Sequence, residues 1–227
     1  MSLRVRQRLG LADVMTLLNA TLGVVAMTVA VTGEPGHVAR LILLAAVADG
    51  LDGIIARKHG GTAVGPYLDS IADIVSFGTA PALFLFVVAR AEWSLAEQPR
   101  LYALAAGGAA LFVVFSLVRT ALYTVYVSEG ENRPGIQNTL AASILAAAYL
   151  AGLTAVPVML AAGAVLSVLM VAPVPYPKLA ARDALLMGIV QVGAIAVPTA
   201  FERALPRILL VAALAYLTLA PRFYWEE

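Results

Sequence analysis

Four aspartates within a stretch of 25 residues are the side chains in this sequence most able to do chemistry. Asp49 and Asp52 are three residues apart, and Asp69 and Asp73 are four apart. Each pair therefore shares one face of a helix, because residues three and four apart are neighbours on a helix surface. A short glycine-containing turn separates the pairs, so the two helices are predicted to be antiparallel neighbours. We expect the four carboxylates to converge on one pocket.

Four neighbouring carboxylates in an apolar setting need cations to balance their charge. One aspartate at the centre of a membrane span costs roughly 2.5–3.5 kcal/mol on insertion scales, and four also repel one another. Arg57 and Lys58 supply two positive charges, which is too few for four carboxylates plus an anionic ligand. An all-oxygen ligand set without His or Cys suits Mg²⁺ or Mn²⁺. The pattern predicts two divalent ions bridged by shared carboxylates, and a phosphate-rich substrate.

The composition is that of a membrane protein. Of the 227 residues, 61% are hydrophobic and 13% are charged, and the mean hydropathy is +0.89. Soluble domains have about 45–50% apolar and about 25% charged residues. The absence of cysteine excludes disulfides and thiolate metal sites. A net charge of +1 gives no indication of a nucleic-acid partner.

Apolar segments of spanning length predict an all-α integral membrane protein, folded as a single domain over residues 1–227. A spanning helix needs about 20 mostly apolar residues. Because the fifth segment and the last two are short, the prediction is a bundle of six to eight transmembrane helices, with eight preferred. The segments are 12–33, 38–57, 66–90, 100–127, 137–152, 155–174, 183–199 and 205–220.

Basic residues predict the orientation of these segments, because cytoplasmic loops carry an excess of Lys and Arg. With eight spans, the N-terminus shares one side with the loops after the second, fourth and sixth spans. That side holds Arg4, Arg6, Arg8, Arg57, Lys58, Arg119, Arg133, Lys178, Arg182 and Arg222. The opposite side holds Arg40, Arg90, Arg100, Arg203 and Arg207. Ten residues against five predict a multi-pass protein of the cell membrane with the carboxylate pocket facing the cytoplasm.

The aspartate pairs belong to a longer pattern of fixed positions. It is Asp49-x-x-Asp52-Gly53-x-x-Ala56-Arg57, then seven residues, then Gly65-x-x-x-Asp69-x-x-x-Asp73. This pattern resembles the signature of the CDP-alcohol phosphatidyltransferases, and every specified position of that signature is present. The segment between its halves has seven residues where many members have eight.

The resemblance implies a fold and an activity. Members have a six-helix core, often with extra helices, are usually dimeric, and hold a polar cavity open to the cytoplasm and the inner leaflet. They move a phosphatidyl group from a CDP-linked lipid to a hydroxyl acceptor and release CMP. We therefore expect a CDP-linked lipid as substrate, the lipid bilayer as setting and a homodimer as assembly.

The resemblance also implies roles for individual residues. Asp49, Asp52 and Asp69 are expected to bind two divalent ions, Mg²⁺ or Mn²⁺. Asp73 is expected both to touch a metal and to accept the proton of the attacking hydroxyl. The residues expected to contact the CDP part are Asn19, Gly53, Arg57, Thr62 and Gly65. For Asn19, a polar residue inside an apolar span, a hydrogen bond between helices is the alternative.

Further segments indicate the branch of the family. The continuation Val75-Ser76-Phe77-Gly78-Thr79-Ala80-Pro81 resembles the phosphatidylserine synthases, as does the element from Leu166 to Lys178. The stretch from Gly135 to Ala142 is similar to archaeal members, which use CDP-archaeol. L-Serine is therefore the expected acceptor. Arg119, an arginine inside the fourth span, is expected to bind the serine carboxylate bidentately, unless it pairs with the aspartates or with lipid phosphate.

Three alternatives remain open at this stage. The first is that the Asp and Arg side chains form a purely structural network between two helices. Such a network would not need the space for a ligand that Gly53 and Gly65 provide. A sibling enzyme using inositol phosphate or glycerol phosphate would need several basic residues at the cytoplasmic mouth of the pocket. Between Arg100 and Lys178, however, the only basic residues are Arg119 and Arg133. A divalent-cation transporter would need polar groups along several spans, and the spans from residue 137 onward are nearly free of ionisable side chains.

Overall fold

The computed structural model describes residues 8–126, 133–177, 179 and 181–224. Helices make up almost all of this part of the chain. They are α1 (Leu11–Thr32), α2 (Pro35–His59), α3 (Gly65–Arg90), α4 (Pro99–Tyr126), α5 (Asn138–Leu150), α6 (Val156–Met170), α7 (Ala181–Ala196) and α8 (Ala200–Phe223). Arg4, Arg6 and Lys178, which contributed to the orientation argument, lie outside the described residues.

The all-α membrane architecture predicted from the sequence is confirmed, and each helix overlaps one predicted segment. The helices α1, α3, α4 and α8 are long and apolar enough to cross a membrane. The helices α5 and α6 are apolar but shorter. Helix α2 has 25 residues and carries five charged side chains, three of which belong to the signature. The number of spans stays a prediction.

Proline and glycine set the ends of the helices near the site. Pro35 and Pro66 occupy the first turns of α2 and α3, where a missing backbone N–H costs nothing. Helix α2 ends at Gly60, whose φ of +86° few other residues adopt easily. These signals place the turn between the two aspartate pairs where the sequence predicts it.

Helix α3 changes its winding directly after Asp73. Residues Ile74–Thr79 form a π-helical segment, a feature that is rare and frequently found at functional sites. Ser76 inside this segment donates a hydrogen bond to the backbone oxygen of Asn19 in α1, at 2.9 Å. A Cβ added at Gly23 of α1 would lie 2.8 Å from the Ser76 Cα atom. The π-helical segment is thus held tightly against α1.

Helix α5 lies at the centre of the bundle. Its consecutive residues Ile144 to Ala148 are buried, and it contacts α2, α3, α6 and α8. Alanine predominates on its surface, which lets the neighbouring helices approach closely, as is usual in membrane bundles. Many large apolar side chains on α1, α4 and α8 point outward instead, which suits a lipid environment.

Two very short antiparallel strands join two connections of the bundle. Strand β1 (Arg133–Pro134) precedes α5, and it pairs with β2 (Pro175–Tyr176), which follows α6. Next to this strand pair, Gly135 has a φ of +74°, and a Cβ there would clash with the Met170 backbone oxygen. Only glycine fits this approach, so the start of α5 is fixed against the end of α6.

Candidate active site

The site is built on three of the four predicted aspartates. Asp49 projects from α2, and Asp69 and Asp73 project from successive turns of α3. One oxygen from each carboxylate lies within 4.8 Å of the other two. Three negative groups this close repel one another unless a cation lies between them. We call Asp49, Asp69 and Asp73 the carboxylate trio.

Asp52 lies one helical turn after Asp49 but outside the trio. Its carboxylate accepts a hydrogen bond from the Thr16 hydroxyl of α1 at 2.8 Å, and the residue is buried. This contact fixes Asp52 against α1 through one oxygen. Its role as a metal ligand stays a prediction.

Two further helices orient the carboxylate of Asp49. The Asn19 side-chain amide of α1 donates to Oδ1 at 3.5 Å, and the Thr139 hydroxyl of α5 donates to Oδ2 at 3.3 Å. Both hydrogen bonds are long and therefore weak. Asn19 thus makes the interhelical contact that was its alternative role, and its contact with a nucleotide stays a prediction.

One carboxylate oxygen of Asp73 is left without a hydrogen bond from the described residues. Its Oδ1 atom is buried and has no hydrogen-bond partner among the described residues. A buried carboxylate oxygen without a partner is costly, because water has been removed and nothing replaces it. Together with the spacing of the trio, this free oxygen fits the all-oxygen donor set of a hard divalent cation. The residues present therefore suit the metal ions expected from the sequence.

Apart from Asn19, the residues predicted to contact the CDP part lie near the end of α2, in the following turn and at the start of α3. Arg57 is exposed, and its guanidinium folds back along α2 towards Gly53. A Cβ added at Gly53 would lie 3.4 Å from the Arg57 Nη1 atom. A side chain at position 53 would thus be in van der Waals contact with the guanidinium.

Asp13 is a site-forming residue that the sequence argument missed. It is buried at the start of α1, where its carboxylate accepts hydrogen bonds from the Gly10 backbone N–H at 2.7 Å and the Thr62 hydroxyl at 2.9 Å. The Thr62 oxygen also accepts from the Gly65 backbone N–H at 3.0 Å. Asp13 therefore ties the α2–α3 turn to α1. The predicted contacts of Thr62 and Gly65 with CDP stay predictions.

Arg119 of α4 is buried beside the trio. Its side chain is near enough for its charge to act on the Asp73 carboxylate. The guanidinium carbon lies 4.9 Å from the centroid of the Tyr123 ring, a cation–π contact one turn further along α4. A buried guanidinium next to carboxylates is a suitable receptor for an anionic group on the second substrate.

A group of buried polar residues adjoins Arg119 and was also missed. The Asn138 side-chain amide, at the start of α5, donates to the Thr120 hydroxyl at 2.8 Å and to the Ser116 backbone oxygen at 3.5 Å. The adjacent residue, Thr139, reaches Asp49. The run Gln137-Asn138-Thr139 was a usable signal, because three polar residues in succession are unusual in such an apolar chain.

Comparisons with known proteins identify the family. Archaetidylserine synthase of Methanothermobacter thermautotrophicus is 31% identical over 177 residues, which are 75% of this chain and 70% of that protein. CDP-diacylglycerol–serine O-phosphatidyltransferase of Mycobacterium tuberculosis is 33% identical over 121 residues, covering 53% of this chain and 39% of that protein. The enzyme of the same name from Saccharomyces cerevisiae is 40% identical over 90 residues, covering 36% of this chain and 33% of that protein. Residues 9–176, which include α1 to α6, match the CDP-alcohol phosphatidyltransferase family, and the chain belongs to that family.

Proposed function

We propose that this protein transfers a phosphatidyl or archaetidyl group from a CDP-linked lipid to the hydroxyl of L-serine and releases CMP. It would thus act as a CDP-diacylglycerol (or CDP-archaeol)–serine O-phosphatidyltransferase. The observation that carries the proposal is the carboxylate trio of Asp49, Asp69 and Asp73 beside the buried Arg119. The names of its relatives, archaetidylserine synthase and CDP-diacylglycerol–serine O-phosphatidyltransferase, support serine as the acceptor.

CDP-alcohol phosphatidyltransferases generally use divalent metals. In this chain the residues proposed to hold two such ions, Mg²⁺ or Mn²⁺, are Asp49, Asp52, Asp69 and Asp73. When bound, the ions would offset charge on the diphosphate and on the leaving CMP. The free Oδ1 of Asp73 supports this assignment, because it has an open coordination position and no competing hydrogen bond.

Asp73 is proposed as the group that takes the proton. The serine hydroxyl oxygen forms a bond to the phosphorus that carries the lipid, and its proton passes to the Asp73 carboxylate. The bond from that phosphorus to the bridging oxygen breaks, and CMP leaves with this oxygen and the electron pair. A carboxylate base must approach the hydroxyl to about 2.6–3.2 Å. A carboxylate has two oxygens, so Asp73 can offer one to the hydroxyl while its Oδ1 is offered to an ion.

Arg119 is proposed to bind the serine carboxylate. We expect Arg119→Gln to raise the KM for L-serine at least about tenfold, because a charge-assisted bidentate contact is lost. The KM for the CDP-linked lipid should change by less than about threefold, as for a contact confined to the other substrate. Initial rates of CMP release, with each substrate varied in turn, measure both values.

The matched control for Arg119 is Arg182→Gln, because the Arg182 side chain is 86% exposed on α7. It should leave both KM values unchanged. If Arg119→Gln raised the KM for the CDP-linked lipid as much as that for serine, Arg119 would belong to the nucleotide or lipid phosphates instead.

An acceptor panel tests the proposed function directly. Purified protein with Mg²⁺ or Mn²⁺ is supplied with CDP-diacylglycerol or CDP-archaeol, and with L-serine, inositol phosphate, glycerol phosphate or no acceptor. We expect CMP release only with L-serine, and the better lipid identifies the tail chemistry. CMP release with inositol phosphate or glycerol phosphate instead would show that the acceptor is that compound and not serine. If no acceptor gave CMP release, the proposed enzymatic function would be wrong and a divalent-cation transporter would be favoured. Transport would be measured as Mn²⁺ uptake into proteoliposomes.

We also propose that the protein is a homodimer in the cell membrane, folded as one domain, with its site facing the cytoplasm. The excess of basic residues on one predicted side supports the orientation. Thr62, in the α2–α3 turn, bonds Asp13 at the start of α1, so these two parts of the chain lie at the same end of the bundle. The resemblance to the family supports the homodimer.

A further inference from the structure

Asn138 has a hydrogen-bond acceptor that no described residue of the protein uses. The residue has 0% exposure at the start of α5. Its amide nitrogen faces the Ser116 backbone oxygen, which can only accept, so the orientation of the amide follows from its surroundings. The other atom of the amide, Oδ1, is buried without a partner among the described residues.

The position of Asn138 connects the two parts of the candidate site. Its amide bonds Thr120, which is next to Arg119 in α4. The residue after it, Thr139, bonds the Asp49 carboxylate of the trio. Asn138 therefore bonds the residue next to the arginine proposed to bind the acceptor, and it precedes the residue that bonds a carboxylate proposed to bind metal.

A buried amide oxygen without a partner destabilises the fold unless a ligand supplies a donor. An ammonium group is well suited, since it has three donors and no acceptor. A neutral amide oxygen can receive it without adding another negative charge beside the trio. A second buried oxygen, the hydroxyl of Ser116, also has no hydrogen-bond partner among the described residues. It lies on the same face of α4 as Thr120.

We propose that Asn138 Oδ1 accepts a hydrogen bond from the α-ammonium group of the acceptor amino acid while Arg119 binds its carboxylate. The pair of contacts selects an α-amino acid over a plain hydroxy acid. This inference rests on the proposed function, and it adds a residue that determines specificity for the acceptor.

The test compares L-serine with 3-hydroxypropionate, which has the same hydroxyl and carboxylate but no ammonium group. In the wild-type protein kcat/KM should favour serine by roughly tenfold to a hundredfold, the range for a hydrogen bond to a charged group. In Asn138→Ala this preference should fall to within about threefold, mainly through a higher KM for serine. The KM for the CDP-linked lipid should stay unchanged.

Thr120→Val separates ligand binding from a purely structural role of Asn138. It removes the partner of the Asn138 amide nitrogen and leaves Oδ1 in place. We expect a lower thermal stability with the preference for serine retained. If Thr120→Val abolished the preference as Asn138→Ala does, Asn138 would act only through packing and the inference would be wrong.

The remaining outcomes distinguish this inference from the proposed function. If the wild-type protein releases CMP with serine and Asn138→Ala keeps the full preference over 3-hydroxypropionate, the inference fails and the proposed function stands. If the wild-type protein releases no CMP with serine, both fail. Should Asn138→Ala not fold, the isosteric Asn138→Asp keeps an acceptor oxygen and is expected to favour serine at least as strongly as the wild type. A loss of preference in that variant would overturn the inference.

Discussion

Asp49→Asn is expected to weaken Mn²⁺ binding and CMP release by more than about a hundredfold, since changing even an outer partner of a metal ligand costs about 10–100-fold. Asp49 is the only member of the trio on α2, so its carboxylate is what joins that helix to a shared ion. The substitution removes one negative charge and one oxygen ligand while keeping the shape of the side chain. Titration of the detergent-purified protein with Mn²⁺ measures the affinity independently of turnover.

Two comparisons make the Asp49 result specific. Asp183→Asn is the matched control, because Asp183 lies on α7 and its carboxylate accepts a hydrogen bond from Tyr224, which is not a residue of the site. The Asp183→Asn protein should bind Mn²⁺ as tightly as the wild type. Thr139→Val removes one of the hydrogen bonds that orient Asp49, and should lower Mn²⁺ affinity by at most about tenfold, because that bond is long. An Asp49→Asn protein with unchanged affinity would remove Asp49 from the metal site.

Chelation gives the same result without a mutation. Wild-type protein treated with EDTA should lose CMP release, and either Mg²⁺ or Mn²⁺ should restore it. Full activity after chelation would contradict the proposed metal site and leave the trio as a structural cluster.

The trio could be predicted from the sequence because its geometry is mostly local. The separation of Asp69 and Asp73 by four residues places both on one helix face, and the short turn before them brings α3 back beside Asp49. Asp52 shows where this reasoning stops. Its spacing from Asp49 suggests the same pocket, but Thr16 of α1 accounts for one of its oxygens. Local spacing does not reveal which side chain a third helix will bring.

The residues that were missed depend on contacts between distant parts of the chain. Asp13 and Thr62 are 49 residues apart and meet only because α1 packs against the α2–α3 turn. The π-helical segment after Asp73 has no sequence signal of its own, and is accompanied by the contact of Ser76 with α1. Asn138 was visible as part of the stretch from Gly135 to Ala142 that is similar to archaeal members. Its importance appears only when its own bond to Thr120 and the bond of the next residue, Thr139, to Asp49 are seen.

Helix α8, which lies beyond the family match, also acquires a role in the structure. The Tyr216 hydroxyl of α8 donates to the Pro177 backbone oxygen at 2.6 Å, and the Tyr176 hydroxyl donates to Leu217 of α8 at 3.1 Å. These bonds fasten α8 to the β1–β2 strand pair, which lies next to the start of α5, where Asn138 and Thr139 are found. A generic apolar helix, as the sequence presents it, thus supports the site indirectly.

Asp73→Asn should still bind the CDP-linked lipid but release CMP about 10²–10⁴ times more slowly, the usual contribution of a positioned acid–base group. The amide has the same shape as the carboxylate and can fill the same space beside Arg119. It cannot accept the proton of the attacking hydroxyl, so the acceptor remains a poor nucleophile. Binding is measured with the CDP-linked lipid alone, and turnover as CMP release with L-serine.

Asp73 also belongs to the trio, so its loss as a base must be separated from its loss as a ligand. The comparison with Asp49→Asn does this, because a variant limited by metal affinity regains activity as Mn²⁺ is raised, by mass action. We expect high Mn²⁺ to restore part of the activity of Asp49→Asn and none of the activity of Asp73→Asn. If Mn²⁺ rescued both variants equally, Asp73 would be only a metal ligand, and another group would have to take the proton.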